Sequence, residues 1–296
     1  MAISAQDSEN WAAAGTQDAM ARTYAAVKVA LGRSQALKAR DIEIFLQGSY
    51  ANNTNIRGDS DVDIVVMLKS SWHPDKSLLS EAAKAAYERD HITATYTAAH
   101  LRKDVIEALQ AYFGQDRVKP KNKAIRVNKS DGYVDADVVP ALQHRLYTAY
   151  DSLTRGRFVE GTRLYPQKSQ PIVNYPKVHK VNGSDKNTET NDNFKPAVRQ
   201  VKQLRRRAAA SGRVDPDKAP GYLLECMVFN APKDVFVDDH HSRLVNVLKW
   251  LLTADLPSFL SVDTIHKLFH TDPGNFSVAD AKQVINGLVD EVVAES

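Results

Sequence analysis

The feature that most constrains this chain is an alternation of acidic and apolar residues that follows a glycine and a serine. Gln47-Gly48-Ser49 is followed by eleven residues and then by Asp61-Val62-Asp63-Ile64. Because successive side chains of a strand point to opposite faces, the alternation predicts a strand at 61–68 with one apolar face. Asp61 and Asp63 share its other face. Like charges so close together repel each other, so the pair predicts a bound cation.

The carboxylates indicate which cation this is. Oxygen ligands with no histidine or cysteine nearby favour Mg²⁺, with Mn²⁺ as a substitute. A further predicted strand, 133–139, carries Asp135 and Asp137. Three carboxylates on neighbouring strands can hold two Mg²⁺ ions about 4 Å apart, so Asp61, Asp63 and Asp137 are the expected catalytic metal ligands. Asp137 is preferred to Asp135 because two β-branched residues and a proline follow it.

Gly48 and Ser49 predict a phosphate site. They follow a predicted strand, 41–47, and open a turn or a helix. A backbone without side-chain bulk can direct its N–H groups and the serine hydroxyl at a phosphate. A triphosphate held beside a two-metal carboxylate site is the arrangement for nucleotidyl transfer with release of pyrophosphate.

Composition excludes several other classes of protein. Lys and Arg number 39 against 36 Asp and Glu, and this balance is too weakly basic for a partner as long as duplex nucleic acid. Seven basic residues and no acid lie in 195–213, which fits either a compact polyphosphate or a solvated helix face. The single cysteine, Cys226, permits no internal disulfide and argues against a cysteine zinc site. No apolar run is long enough to span a bilayer, and the first ten residues lack a signal peptide, so we expect a cytoplasmic protein without a membrane partner.

The order of predicted elements indicates two lobes. Predicted strands lie at 41–47, 61–68, 124–128, 133–139 and 145–150, and predicted helices at 16–32 (capped by Thr16), 76–88, 98–113, 194–210, 222–229, 242–252 and 278–294 (capped by Ser277). Residues 165–193 are rich in Pro, Asn, Gly, Ser and Thr and predict a long loop. We therefore expect an α+β fold with a nucleotidyltransferase core at 1–165, a lid or linker at 166–193, a helical domain at 194–296, and a cleft between the lobes.

The motifs resemble those of a known family. Gly48-Ser49-Tyr50, Asp61-Val62-Asp63 and Asp137-Val138-Val139-Pro140 resemble the polymerase β-like nucleotidyltransferases. More narrowly, the chain resembles the bacterial cGAS/DncV-like nucleotidyltransferases (CD-NTases) of CBASS antiphage systems, and most of all their CdnE clade. The resemblance continues through 174–179, 194–199 and 220–226, so it covers nearly the whole chain. It implies a mixed twisted sheet with helices, followed by a helical lobe.

The resemblance also implies an activity and further site residues. The enzyme would join two nucleoside triphosphates, UTP and ATP foremost, into a uridine-containing cyclic dinucleotide such as cyclic UMP-AMP or cyclic di-UMP. A downstream effector would bind this second messenger, and would not bind the enzyme. Lys202 would contact the donor's phosphates, and Asn174 would read the uracil edge with its amide, with Asn187 as a rival. At Gly221 many relatives carry a serine, so a hydroxyl for the donor phosphate is missing there or is replaced by a backbone N–H.

Three alternative functions stay open at this point. The same metal site could make a purine-only cyclic dinucleotide or a linear oligonucleotide. The chain could be a catalytically inactive sensor of nucleotides or RNA, although three intact carboxylates argue against this. A toxin–antitoxin nucleotidyltransferase that modifies a protein or a tRNA would usually be shorter and would lack the second lobe.

Overall fold

The computed structural model describes residues 3–14, 18–58, 61–91, 93–130, 132–270 and 276–294. Within them the strands are β1 (Ile42–Gln47), β2 (Val62–Asp75), β3 (Val118–Pro120), β4 (Ile125–Val127), β5 (Ala136–Ala149), β6 (Arg157–Leu164) and β7 (Ile172–Asn174). The α-helices are α1 (Ala5–Ala12), α2 (Asp18–Arg33), α3 (Gln35–Lys38), α4 (Gly48–Asn52), α5 (Glu81–Asp90), α6 (Ala98–Phe113), α7 (Pro176–Glu189), α8 (Phe194–Ala210), α9 (Gly221–Phe229), α10 (His240–Thr253) and α11 (Val278–Val293).

The chain forms two compact units that are discontinuous in sequence. The sheet unit comprises Gln17–Gln47 and Ser60–Lys177, and the helical unit comprises Met1–Thr16, Gly48–Asp59 and Val178–Ser296. The segment that follows β1, with Gly48 and Ser49, therefore groups with the helical unit although it lies between two strands in sequence. No helix in the described part of the chain is both long and apolar enough to cross a membrane.

The sheet unit is built on one mixed sheet with the order β1-β2-β5-β4-β3, and β6 pairs with the rest of β5 and with β7. β2 and β5 are parallel, whereas β1, β4 and β6 run antiparallel to their neighbours. Val62, Ile64, Val66 and Leu68 are buried, as the predicted alternation requires. Val65 and Met67 on the opposite face are buried too, in a second cluster with Val139, Ala141 and Leu164.

The helical unit is organised around α8. This helix contacts α1, α9, α10 and α11, and its apolar residues are part of a large buried cluster. The basic residues of 195–213 do not form one uniformly solvated face, and their contact with a polyphosphate stays a prediction. Arg199 and Lys202 are buried, while Arg207 and Arg213 pair with the buried Glu291.

Several predicted elements are confirmed. β1 and α6 lie where the sequence predicted them, and α11 begins after Ser277, whose side chain accepts from the backbone N–H of Asp280. The predicted strands at 133–139 and 145–150 are instead parts of the single strand β5, and β2 continues to Asp75. The prediction that Thr16 caps α2 lies outside the described residues.

The prediction of a loop without regular structure at 165–193 was wrong, whereas a lid or linker role for 166–193 stays a prediction. These residues contain β7 and α7. α7 is rich in weak helix formers, so packing stabilises it: Gly183 is buried against Phe194 and Val262. The Asn187 amide also ties the end of α7 to the start of α8. Tertiary contacts thus override local propensity.

Candidate active site

The predicted carboxylates come together at one end of β2 and β5. Asp63 and Asp137 are register partners on these parallel strands, so their side chains stand beside each other on the same face of the sheet. Asp61 lies just before β2 and Asp135 just before β5. The three predicted metal ligands, Asp61, Asp63 and Asp137, therefore form one acidic group.

A residue that the sequence analysis missed, Arg126, lies among these carboxylates. Its Nη1 donates to Asp61 Oδ2 at 2.8 Å and lies 3.3 Å from Asp137 Oδ2. Its Nη2 lies 3.1 Å from Asp135 Oδ2. The hydrogen bond to Asp61 and the surrounding negative charges raise the pKa of the guanidinium further. A sequence signal was present, because Arg126 lies between Ile125 and Val127 on a predicted strand and so faces away from the core.

The acidic group carries more negative charge than Arg126 neutralises. Burial, followed by the charges of Asp137 and Asp61, raises the pKa of Asp63 to about 6, although Arg126 opposes the shift. Carboxylates that repel each other in this way bind cations strongly. The electrostatics therefore support the prediction of a cation site.

The donor atoms fit a divalent cation. Within the described residues, no three His, Cys, Asp or Glu side chains are gathered as a ready-made metal site. The Arg126 guanidinium lies between the carboxylates of Asp61 and Asp137. The available donors are carboxylate oxygens, which suit Mg²⁺ or Mn²⁺. Asp135 is already engaged, since its Oδ1 accepts from the backbone N–H of Lys129 at 2.7 Å. This engagement favours Asp137 as the third ligand.

Gly48 and Ser49 begin the short helix α4 in the helical unit. Gly48 has a φ of 71°, in the left-handed region that glycine adopts without strain. The chain closes the following turn through a hydrogen bond from the N–H of Thr54 to the carbonyl of Ser49, at 2.9 Å. The glycine therefore has a conformational reason to be there, and phosphate binding by this pair stays a prediction.

Lys202, the predicted phosphate-binding lysine, lies buried in the middle of α8. Its Nζ donates to the carbonyl and the hydroxyl of Thr54, both at 3.1 Å, and to Glu225 Oε2 at 3.3 Å. An ammonium has three donors, and all three are used here. A contact with a phosphate stays a prediction, and it would require Lys202 to exchange one of these partners. Gly221 leaves room for this side chain, because a Cβ there would lie 3.3 Å from Lys202 Cε.

Glu225 on α9 is a second residue whose role the sequence did not show. Its carboxylate accepts hydrogen bonds from Thr54 Oγ1 and His179 Nε2, both at 2.9 Å, and from Asn52 Nδ2 at 3.4 Å. Burial alone would raise its pKa, but the charge of Lys202 and the hydrogen bonds lower the pKa below its ordinary value. The buried carboxylate thus anchors residues 52–54, which directly follow the Gly48-Ser49 turn.

The two candidate base-reading asparagines have different surroundings. Asn187 uses both ends of its amide, donating to Asp192 Oδ1 at 2.6 Å and accepting from the N–H of Lys195 at 2.9 Å. Asn174 ends β7, is partly exposed, and its backbone carbonyl accepts from Thr162 Oγ1. The structural engagement of Asn187 favours Asn174, and the base-reading role stays a prediction.

Comparisons with known proteins match both halves of the chain. Residues 28–127 match the nucleotidyltransferase domain family, and residues 181–292 match the cGAS/DncV-like nucleotidyltransferase C-terminal helical domain. The cyclic UMP-AMP synthase of Rhodothermus marinus is 33% identical over 95% of both chains. The cyclic dipyrimidine nucleotide synthase CdnE of Legionella pneumophila is 38% identical over 82% of this chain and 81% of its own.

The fold matches a solved structure of the same kind. The structure of Rhodothermus marinus CdnE c-UMP-AMP synthase with Apcpp and Upnpp superposes with a TM-score of 0.88 and 32% identity, covering 99% of this chain and 97% of that one. A match of this extent includes the mixed sheet and the C-terminal helices alike.

Proposed function

The chain belongs to the cGAS/DncV-like nucleotidyltransferases, and we propose that it joins two nucleoside triphosphates into a uridine-containing cyclic dinucleotide. The family that the sequence motifs implied is thereby confirmed, and with it the prediction of a nucleotidyltransferase. The observation that carries the proposal is the acidic group, in which Asp63 and Asp137 stand side by side on β2 and β5 with Asp61 next to them.

Nucleotidyltransferases generally use a divalent metal. We propose that Asp61, Asp63 and Asp137 hold two Mg²⁺ ions, or Mn²⁺ in their place. Bound there, the ions would acidify the attacking hydroxyl and offset the charge of the triphosphate. Since the carboxylates stand on paired strands, the chain holds them rigidly before substrate arrives, which is how positioning lowers a phosphoryl-transfer barrier.

The substrates follow from the same proposal. A donor nucleotide would place its phosphates at Gly48, Ser49 and Lys202, and Asn174 would read the uracil edge. The ribose hydroxyl of the acceptor attacks the donor's α-phosphorus, and the bond to pyrophosphate breaks. A second transfer at the same carboxylates closes the ring and releases a second pyrophosphate. The synthases named above, which make cyclic UMP-AMP and a cyclic dipyrimidine nucleotide, support UTP and ATP as the first substrates to test.

We propose CBASS-type antiphage signalling as the setting. The product would be a second messenger that a downstream effector protein binds, with no binding of that effector to the enzyme itself. The cytoplasm, which holds the triphosphates, is the compartment we expect. A net charge of +3 gives no reason to add a membrane surface or a long nucleic acid as a partner.

Incubation with α-labelled nucleoside triphosphates, singly and in pairs with Mg²⁺, tests this function. We expect label from UTP in a phosphatase-resistant product. Asp63→Asn should lose that product, whereas Asp75→Asn, the same change at the other end of β2, should keep it.

The other outcomes identify the alternatives. Label from ATP and GTP alone would indicate a purine-only ring, and a phosphatase-sensitive ladder would indicate a linear oligonucleotide. Label in protein or RNA would favour macromolecule modification. Nucleotide binding without turnover would indicate a sensor, and near-normal turnover by Asp63→Asn would refute the site.

A further inference from the structure

We propose that Arg126 is an internal counter-ion that holds the metal-free carboxylates together and leaves them when the divalent cation binds. The proposal rests on the metal site proposed above and adds a residue that controls how tightly that site binds.

The contacts of Arg126 support this role. One guanidinium reaches three carboxylates, those of Asp61, Asp135 and Asp137, at 2.8, 3.1 and 3.3 Å. Two of the three, Asp61 and Asp137, are among the proposed metal ligands. A guanidinium is permanently charged and donates through a planar fork, so it can bridge oxygens that would otherwise repel each other.

The sheet fixes Arg126 in this place. On β4 it is the register partner of Asp137, and its neighbours Ile125 and Val127 are buried on the opposite face. Its backbone therefore cannot turn the side chain away from the acidic group without breaking the β4–β5 pairing. The side chain itself is 21% exposed, so the guanidinium can exchange its partners without unpacking the core.

The charge balance gives the direction of the effect. The three carboxylates of the acidic group, together with that of Asp135, face one guanidinium. Without a metal these four carboxylates therefore keep a net negative charge that attracts a cation. A divalent cation at Asp61 and Asp137 would lie within a few ångströms of the guanidinium and would repel it. Arg126 therefore stabilises the metal-free fold and weakens metal binding, two effects of opposite sign.

Mn²⁺ titration of the nucleotide-free, full-length chain tests the proposal, with bound Mn²⁺ followed by electron paramagnetic resonance. Arg126→Gln should bind Mn²⁺ at least about tenfold more tightly, because one unit charge about 4 Å from a divalent cation opposes binding by more than this even at the dielectric constant of water. Arg126→Lys keeps the charge and should stay within about twofold of the unaltered chain. Lys119→Gln is the matched control, because Lys119 is the β3 register partner of Arg126 and is exposed.

Thermal unfolding supplies a second readout. In EDTA, Arg126→Gln should melt at a lower temperature than the unaltered chain, and saturating Mn²⁺ should restore most of the difference. A merely structural arginine would cost the same stability with and without Mn²⁺. Adding Asp63→Asn to Arg126→Gln should abolish the gain in Mn²⁺ affinity, since that gain belongs to the acidic group.

Each result decides the proposal. Unchanged or weaker Mn²⁺ binding by Arg126→Gln, or an equal gain in Lys119→Gln, overturns the counter-ion role. If Arg126→Gln gains Mn²⁺ affinity but the unaltered chain turns over no nucleotide, the counter-ion role stands and the proposed function is refuted. If the unaltered chain turns over nucleotide but Arg126→Gln binds Mn²⁺ no more tightly, the proposed function stands and the counter-ion role is refuted.

Discussion

Replacing Glu225 by glutamine should destabilise the helical unit strongly. The pair between Glu225 and Lys202 spans 3.3 Å, and both side chains are 5% exposed. Glutamine keeps the shape of the side chain but leaves the ammonium buried without a counter-charge. Removing one member of a buried ion pair costs about 3–5 kcal/mol. Because the amide oxygen can still accept from Thr54, we expect the lower end, about 3 kcal/mol, and a fall in Tm of about 9 °C.

A double-mutant cycle isolates the pair from general damage. Lys202→Met should also be costly, since it leaves the Glu225 carboxylate buried without the ammonium. The double variant carries no uncompensated buried charge, so its cost should fall below the sum of the two single costs by at least about 1 kcal/mol. Urea unfolding of the four chains provides the free energies. Glu189→Gln, the same change at an exposed position of α7, should cost little.

The pH dependence gives an independent check on the same residue. The pKa of Glu225 lies below its ordinary value of 4.5, so its ionisation stabilises the fold above pH 4.5 and this contribution is lost as the pH falls through the lowered pKa. The stability difference between the unaltered chain and Glu225→Gln should therefore shrink below pH 4.5. Strictly additive single costs, together with a difference that does not change with pH, would refute the account of a buried ion pair.

Three further predictions concern the sheet unit. Because the pKa of Asp63 is raised to about 6, the metal-free carboxyl takes up a proton below that pH, and the affinity for Mn²⁺ in an isothermal titration should fall as the pH drops from 6 to 5. Asp137→Asn should lower turnover in the nucleotide assay at least about a hundredfold, whereas Asp135→Asn should lower it only a few fold. Gly161→Ala would place a Cβ 2.8 Å from a backbone oxygen of β7 and should cost about 1–3 kcal/mol in urea unfolding. Its control, Gly32→Ala in α2, meets nothing within 4 Å and should stabilise the protein by up to about 1 kcal/mol.

Elements with strong local signals could be predicted from the sequence. α6 begins after Thr97 and α11 after Ser277, and each cap accepts a backbone N–H as its sequence context indicates. The apolar positions Val62, Ile64, Val66 and Leu68 predicted β2, although Val65 and Met67 on the other face are buried as well. Ser4 and Asp7 form a capping box at α1, so this missed helix also had a readable signal.

The break predicted within β5 shows where a local rule misleads. Pro140 argues against a central strand, because it lacks an N–H for the ladder. In β5, however, the residues paired with β4 end at Val138 and those paired with β6 begin at Ala141. Pro140 lies between the residues that pair with β4 and those that pair with β6. On the edge of β5 that β4 and β6 share, the missing N–H of the proline therefore removes no ladder hydrogen bond. The strand can therefore continue through a proline that the sequence treats as its end.

Arg126 and Glu225 could not be assigned from the sequence for a related reason. A carboxylate inside an apolar helix predicts a buried partner, since leaving it alone would be too costly. The partners of Glu225 lie 23 and 171 residues away at Lys202 and Thr54, and only the packed helical unit identifies them. Arg126 lies on a strand whose alternation fixes the face of its side chain but not the register against β5. If β4 were paired two residues further along β5, Arg126 would keep its face but its guanidinium would no longer lie beside Asp137. The charge balance of the site therefore depends on the register between β4 and β5, which no local sequence pattern encodes.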